Sequence, residues 1–263
     1  MFQTLWRLIA RDERLKRLPP KPTVIFSSEL DSTVCAQIEW ENSVVITIST
    51  GFIAEITEEL LSYSQTLVIL VSEPSRRIPS SERVLRAVEE LIVSFIILHE
   101  IFHLVGGHVA WMSSQAELSF FDECRLGLFS AAGRGRSVVK RPSSRRIAKA
   151  YLLESEADCT ALQWILQSAF PANLKRLLGR KARTITALPP TERLVGFRLA
   201  FTAVWLPLRR MEASRARWMI LNSPTHPLPA ARLFAAIGTL LQESSSISSL
   251  RFDAEGGGHH SPT

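Results

Sequence analysis

The sequence predicts a mainly helical α+β domain with a small N-terminal sheet, and three observations predict it. Residues rich in β-branching are concentrated between Lys21 and Gly51. From Glu55 onward, apolar residues recur at helical spacing. One of those helical stretches, Glu82 through Val105, reads as a buried helix from its apolar positions Val84, Leu85, Val88, Leu91, Ile92, Phe95, Ile96 and Leu98, and carries His99-Glu100-Ile-Phe-His103 near its end. A chain of 263 residues with 46% hydrophobic residues is long enough to bury one substantial core, so residues 1–243 are expected to form a single domain.

Taken in order, Met1 to Leu18 reads as an amphipathic helix, with Phe2, Leu5, Trp6, Leu8, Ile9, Leu15 and Leu18 interleaved with Arg7, Arg11, Asp12, Glu13 and Arg14. It lacks the unbroken apolar stretch of a secretory signal. Docking onto the domain is the first reading of this segment, and lying on a membrane surface the second. Thr23 to Ser27, Thr33 to Trp40 and Ser43 to Thr50 read as strands, with Glu41-Asn42 as a hairpin turn. Val44 to Thr50 is the expected edge strand on which an extended peptide could pair. Helices are expected near Glu55–Val71, Glu82–Val105, Gln115–Ala131, Ser144–Phe170, Thr191–Leu221 and Pro229–Glu243. A basic loop spans residues 133–143, and residues 244–263 have the composition of a disordered tail, where His259 and His260 are at most weak metal scavengers.

His99 and His103 stand four apart on the expected helix, so both imidazoles can reach one zinc ion. Glu100, one residue beyond the first of them, can then meet the water that the metal activates. Gly106 and Gly107 suit the helix end immediately beyond. A catalytic zinc site takes three protein ligands, so a third is required. His108 lies near, but five residues past His103 is about 140 degrees around a continuing helix, and the alternative for it is a satisfied turn or core histidine. Glu154 is the better candidate. It precedes Asp158 by four residues on a helix, so one carboxylate can bind metal while the other accepts the spare ring N–H of a ligating histidine. Glu156 points to another side and reads as a solvated surface charge.

His99-Glu-Ile-Phe-His103-Leu-Val-Gly-Gly-His108, Glu154-Ser-Glu-Ala-Asp158 and Thr225-His-Pro-Leu-Pro-Ala-Ala-Arg232 follow one another in the order seen in gluzincin metallopeptidases. The pattern resembles the HtpX and CAAX-prenyl-protease type, and more closely the Lit-type phage-exclusion peptidases. The resemblance covers about Leu91 to Leu241; before that it is loose, and the basic stretch between His108 and Glu154 looks like an insertion. It implies a zincin-like fold, one zinc per chain held by His99, His103 and Glu154, Asp158 behind a ligand, and His226 and Arg232 near the site. A donor for the oxyanion is also needed, and His226, Tyr151 and Arg232 are the available types, in that order. By itself, Thr225-His226-Pro227 is a capped turn ahead of the last helix.

The formal charge of +6 raises a rival class, a nucleic-acid-binding protein. Arg134, Arg136, Lys140, Arg141, Arg145, Arg146 and Lys149 form one basic run, and Lys175, Arg176, Arg180, Lys181 and Arg183 another. Neither has interleaved aromatics or a reading motif, so solvated loop and helix faces are the first reading of both, and steering of an acidic protein substrate is the second, a use compatible with a zinc site. Cys35, Cys124 and Cys159 are an odd set without paired spacing, which argues against a disulfide framework and for a reducing cytoplasm. Leu91 to Val105 and Leu194 to Leu208 fall short of the roughly twenty residues of a membrane span. The expectation is a cytoplasmic zinc endopeptidase acting on a protein or peptide, in phage exclusion or in housekeeping quality control. A zinc-stabilised binding module without turnover is the non-enzymatic alternative.

Overall fold

A computed structural model of the chain describes residues 23–28, 34–38, 44–75, 80–108, 111, 144–166, 188–215, 231–239 and 241–242. The expected N-terminal helix, the helix 115–131, the basic loop 133–143 and the C-terminal tail lie outside the described residues, as do His226 and the second basic run.

Three strands form one sheet: β1 (Thr23–Ser27), β2 (Val34–Ile38) and β3 (Val44–Ser49), in the order β1-β3-β2. β2 and β3 pair antiparallel with Ile38 opposite Val44, as the expected hairpin requires. β1 pairs parallel to β3 with Thr23 opposite Val45. The expectation that Val44 to Thr50 is an edge strand is therefore corrected. β3 is central, hydrogen-bonded on both sides, and Thr50 already belongs to the next helix. The physical reason is burial. Val45, Ile46, Ile48 and Ser49 are all buried, on both faces of the strand, and such a run belongs in the middle of a sheet. The edges are β1, where Ile25 and Phe26 are exposed, and β2, which lies against the helix Ser81–Val105.

Helix α1 (Thr50–Ser62) starts directly off β3 because the Ser49 hydroxyl accepts the Phe52 N–H at 3.3 Å. Phe52, Ile56 and Leu60, each four apart, face the core. The helix expected over Glu55–Val71 is in fact two, since Tyr63 leaves helical geometry and α2 (Ser64–Ser75) follows. The Tyr63 ring meets Trp205 edge-on, with centroids 5.6 Å apart.

Helix α3 (Ser81–Val105) runs through the middle of the domain, packing on α2, on α4 (Ser144–Trp164) and on α5 (Pro190–Arg215). Val84, Val88, Leu91, Ile92, Phe95, Leu98 and Ile101 fill the core around it. Pro190 occupies the first position of α5, where a missing N–H costs nothing, and the helix continues through Pro207. Arg210 to Glu55 at 2.8 Å and Arg209 to Glu59 at 3.0 Å tie α5 to α1. Residues 231–239 are helical, within the expected last helix. No described helix is long and apolar enough to cross a membrane. The architecture is α+β and mainly helical, with the sheet packed on α1 and α3, and α3 in turn packed on α4 and α5.

Candidate metal centre

His99, Glu100 and His103 occupy the last turns of α3, and all three are buried. The helix stops where Gly106 donates to Phe102 O at 2.9 Å and Gly107 donates to Leu104 O at 3.1 Å. Gly107 has φ of 71°, the left-handed conformation that ends helices and that side-chain-bearing residues avoid. Spacing of four brings the two imidazoles together, with ring centroids 4.5 Å apart and Nε2 facing Nε2 at 2.9 Å.

On α4, the core-facing stripe includes Ala150, Glu154, Ala157, Asp158, Ala161 and Leu162. The alanines let α3 approach, and the two carboxylates point at its histidines. Glu154 Oε2 lies 3.6 Å from His99 Nε2, and its Oε1 lies 3.4 Å from His103 Nε2. His99, His103 and Glu154 form a buried group that can hold a metal ion, with one donor atom from each lying within 4.8 Å of the others. Ligand atoms about 2.0–2.1 Å from a tetrahedral zinc stand about 3.3 Å apart, close to these separations. The donor set fits. Two bare imidazole nitrogens do not face each other at 2.9 Å beside a carboxylate unless a proton or cation lies among them.

Charge points the same way. Among the described residues, Glu154, Asp158 and Glu100 are buried with one guanidinium, Arg232, so with the imidazoles neutral, as ligation requires, two formal negative charges remain for a divalent ion to neutralise. Arg232 grips Asp158 with two hydrogen bonds, Nε to Oδ2 at 2.7 Å and Nη2 to Oδ1 at 2.8 Å, and its Nη1 lies 3.5 Å from Glu154 Oε2. Burial would raise the Asp158 pKa, but the Arg232 charge and hydrogen bonds, with His99, pull it down to about 2.

The far nitrogen of His99, Nδ1, lies 2.9 Å from Asp158 Oδ1, a charge contact short of ideal hydrogen-bond geometry. Burial and Arg232 disfavour its imidazolium, yet Asp158, by its charge and its contact at Nδ1, and Glu154 together hold the His99 pKa above its ordinary value. For His103, burial dominates. With His99, His108 and Arg232 acting in the same direction and Glu154 opposing, its pKa falls to about 3, so the ring is neutral and able to ligate at physiological pH.

The structure thus brings together His99, Glu100, His103, Glu154, Asp158 and Arg232. Arg232 is engaged by Asp158, which makes it a charge clamp rather than a free donor for an oxyanion. Tyr151 is half-buried one turn ahead of Glu154, with no hydrogen bond or ion pair to the cluster among the described residues. His108 is buried and its ring stands behind His103, Nδ1 to Nδ1 at 3.1 Å, on the side away from the converging Nε2 atoms. Glu156, expected to be a plain surface charge, is exposed but reaches His108 Nε2 at 3.5 Å. Sequence reading missed this second pairing. Its one signal was the glycine pair, which lets the chain double back to the end of α3.

No protein-family model matches the chain, and no curated protein or solved structure matches it either.

Proposed function

We propose that the chain is a zinc-dependent endopeptidase of the gluzincin, zincin-like kind. The observation that carries the reading is the convergence of His99, His103 and Glu154 from two helices, with Glu100 next to the first ligand. Three protein donors of this type are the complement of catalytic rather than structural zinc. When bound, zinc supplies a Lewis acid that makes water nucleophilic near neutral pH and polarises the scissile carbonyl.

The rest is the work of the chain. Glu100 takes a proton from the attacking water as its oxygen bonds to the carbonyl carbon, and delivers that proton to the amine nitrogen as the C–N bond breaks. Asp158, fixed by Arg232, keeps the His99 proton on Nδ1 so that the Nε2 lone pair faces Glu154. Burial of Glu100 and of the ligands strengthens each of these electrostatic effects. With Arg232 committed to Asp158, His226 and Tyr151 remain as candidates for stabilising the oxyanion.

Glu100→Gln tests the reading. The variant should keep one zinc per chain while proteolysis falls at least about a hundredfold, because shape is retained and the proton acceptor is lost. The two proteins are expressed in bacteria and all new peptide ends compared by mass spectrometry. Identical cleavage patterns with zinc in both proteins would favour a binding module. One host protein cut only by wild type would favour an exclusion peptidase, and many unfolded proteins cut would favour quality control.

A further inference from the structure

We infer that His108, oriented by Glu156, is the positioning residue that selects the metal-binding tautomer of His103. The inference rests on the reading of His99, His103 and Glu154 as metal ligands. A histidine that ligates through Nε2 must carry its proton on Nδ1, and the group facing Nδ1 decides whether it does. Facing His103 Nδ1 at 3.1 Å is His108 Nδ1, and one of the two nitrogens must donate to the other.

The two assignments have opposite consequences. If His108 donated, the His103 proton would stand on Nε2, aimed at His99 Nε2 only 2.9 Å away, and the ring could not ligate. If His103 donates, His108 must carry its own proton on Nε2. There the Glu156 carboxylate waits at 3.5 Å, an acceptor only. Glu156 therefore favours the second assignment and passes that preference through His108 to His103. His99 reaches the same state by a different device, the Asp158 carboxylate at 2.9 Å from its Nδ1.

The sequence around His108 is built for this placement. A Cβ on Gly106 would collide with His108 Nε2 and Cδ2, so glycine is needed there for space rather than for conformation, its φ being an ordinary −71°. Gly107 supplies the left-handed turn that carries the chain back. Trp111 donates to Gly107 O at 2.9 Å, and Lys149 of α4 lies 4.5 Å over the Trp111 ring, which fixes the returning segment to the helix that bears Glu154 and Glu156.

The test is zinc affinity of the full chain by competition with a chromophoric chelator, with visible spectra of the cobalt-loaded protein and melting of the metal-free protein alongside. Wild type should bind one zinc and His99→Ala none. His108→Phe should bind about ten- to a hundredfold more weakly, as expected for loss of a ligand's partner, while its saturated cobalt spectrum matches wild type. His108→Asn places Oδ1 about where Nδ1 stood, so it should recover to within about threefold of wild type, a rescue that a packing role would not produce. Gly106→Ala should reproduce the His108→Phe loss. Glu156→Gln, at an exposed position that does not threaten folding, should cost about two- to fivefold. Affinity of His108→Phe within about twofold of wild type, or no rescue by asparagine, overturns the relay alone. A changed cobalt spectrum at saturation overturns it by making His108 a ligand. Wild type that takes up neither metal overturns the underlying metal reading and the relay with it.

Discussion

His99 and His103 are four residues apart on one helix, yet the nitrogens on their far sides face different chemistries. Behind His99 is a buried carboxylate locked to a buried guanidinium; behind His103 is a second imidazole that leads out to an exposed carboxylate. The first support is electrostatically strong and closed to solvent. The second is neutral at the ring and open at its outer end. The difference teaches that a spacing of four sets where two imidazoles point, while the groups that face their far nitrogens come from beyond the helix, from His108 just past its end and from α4 and the helical residues 231–239.

The largest effect should come from breaking the closed support. Arg232→Ala leaves Asp158 and Glu154 buried without their cation, and should destabilise the metal-free protein by about 3–5 kcal/mol in urea unfolding. Adding Asp158→Asn should recover part of that loss. A single-variant loss below about 1 kcal/mol would show the pair to be weakly desolvated and the contrast between the two supports overdrawn. Next in size, Asp158→Asn in an otherwise intact chain should weaken zinc about ten- to a hundredfold, by chelator competition.

Acid separates the two histidines by sign. The His103 pKa is about 3 in the folded chain against an ordinary 6.5, so the unfolded chain takes up a proton that the folded one refuses. Its contribution to stability is therefore lost as pH falls from 6.5 toward 3, with a slope of about 1.4 kcal/mol per pH unit. His99, faced by Asp158, Glu154 and Arg232, has a raised pKa, so its contribution is complete below 6.5 and is lost as pH rises through the folded value. Urea midpoints of the metal-free protein across pH should lose the acid limb in His103→Gln and the alkaline limb in His99→Gln. The same limb missing from both variants would contradict the assignment. The smallest effect concerns the open support: Lys149→Ala removes the cation over Trp111 and should cost about 0.5–1 kcal/mol in the same assay.

Much of this was legible in the residues, for identifiable reasons. Helix α3 was readable almost to the residue because its apolar positions persist over seven turns and glycines end it. The three strands were readable from β-branching, within a residue or two at each end. Their order was not. A run such as Val45–Ser49, buried on both faces, and an edge run look alike until the parallel partner β1 is known. The start of α1 was hidden because Ser49 is both the last strand residue and the cap of the helix. Asp158 could be placed behind a histidine from spacing alone, but Arg232 as its clamp could not, since that contact joins residues far apart in sequence. The role of His108 depends on one left-handed residue, Gly107, and helical periodicity carries no information past such a point.

The separation of the ligands along the chain has a consequence beyond chemistry. His103 and Glu154 belong to different helices, and the segment between them includes the whole of the basic run up to residue 149. An ion shared by both is a cross-link that closes this long segment into a loop, so the free energy of binding becomes free energy of docking α3 against α4. At a free metal concentration a hundred times the dissociation constant, that linkage is worth about 2.7 kcal/mol. Removing the ion would then do more than empty the site: it would weaken the docking of α3 against α4, and the metal-free protein should be cut by proteases faster than the loaded one.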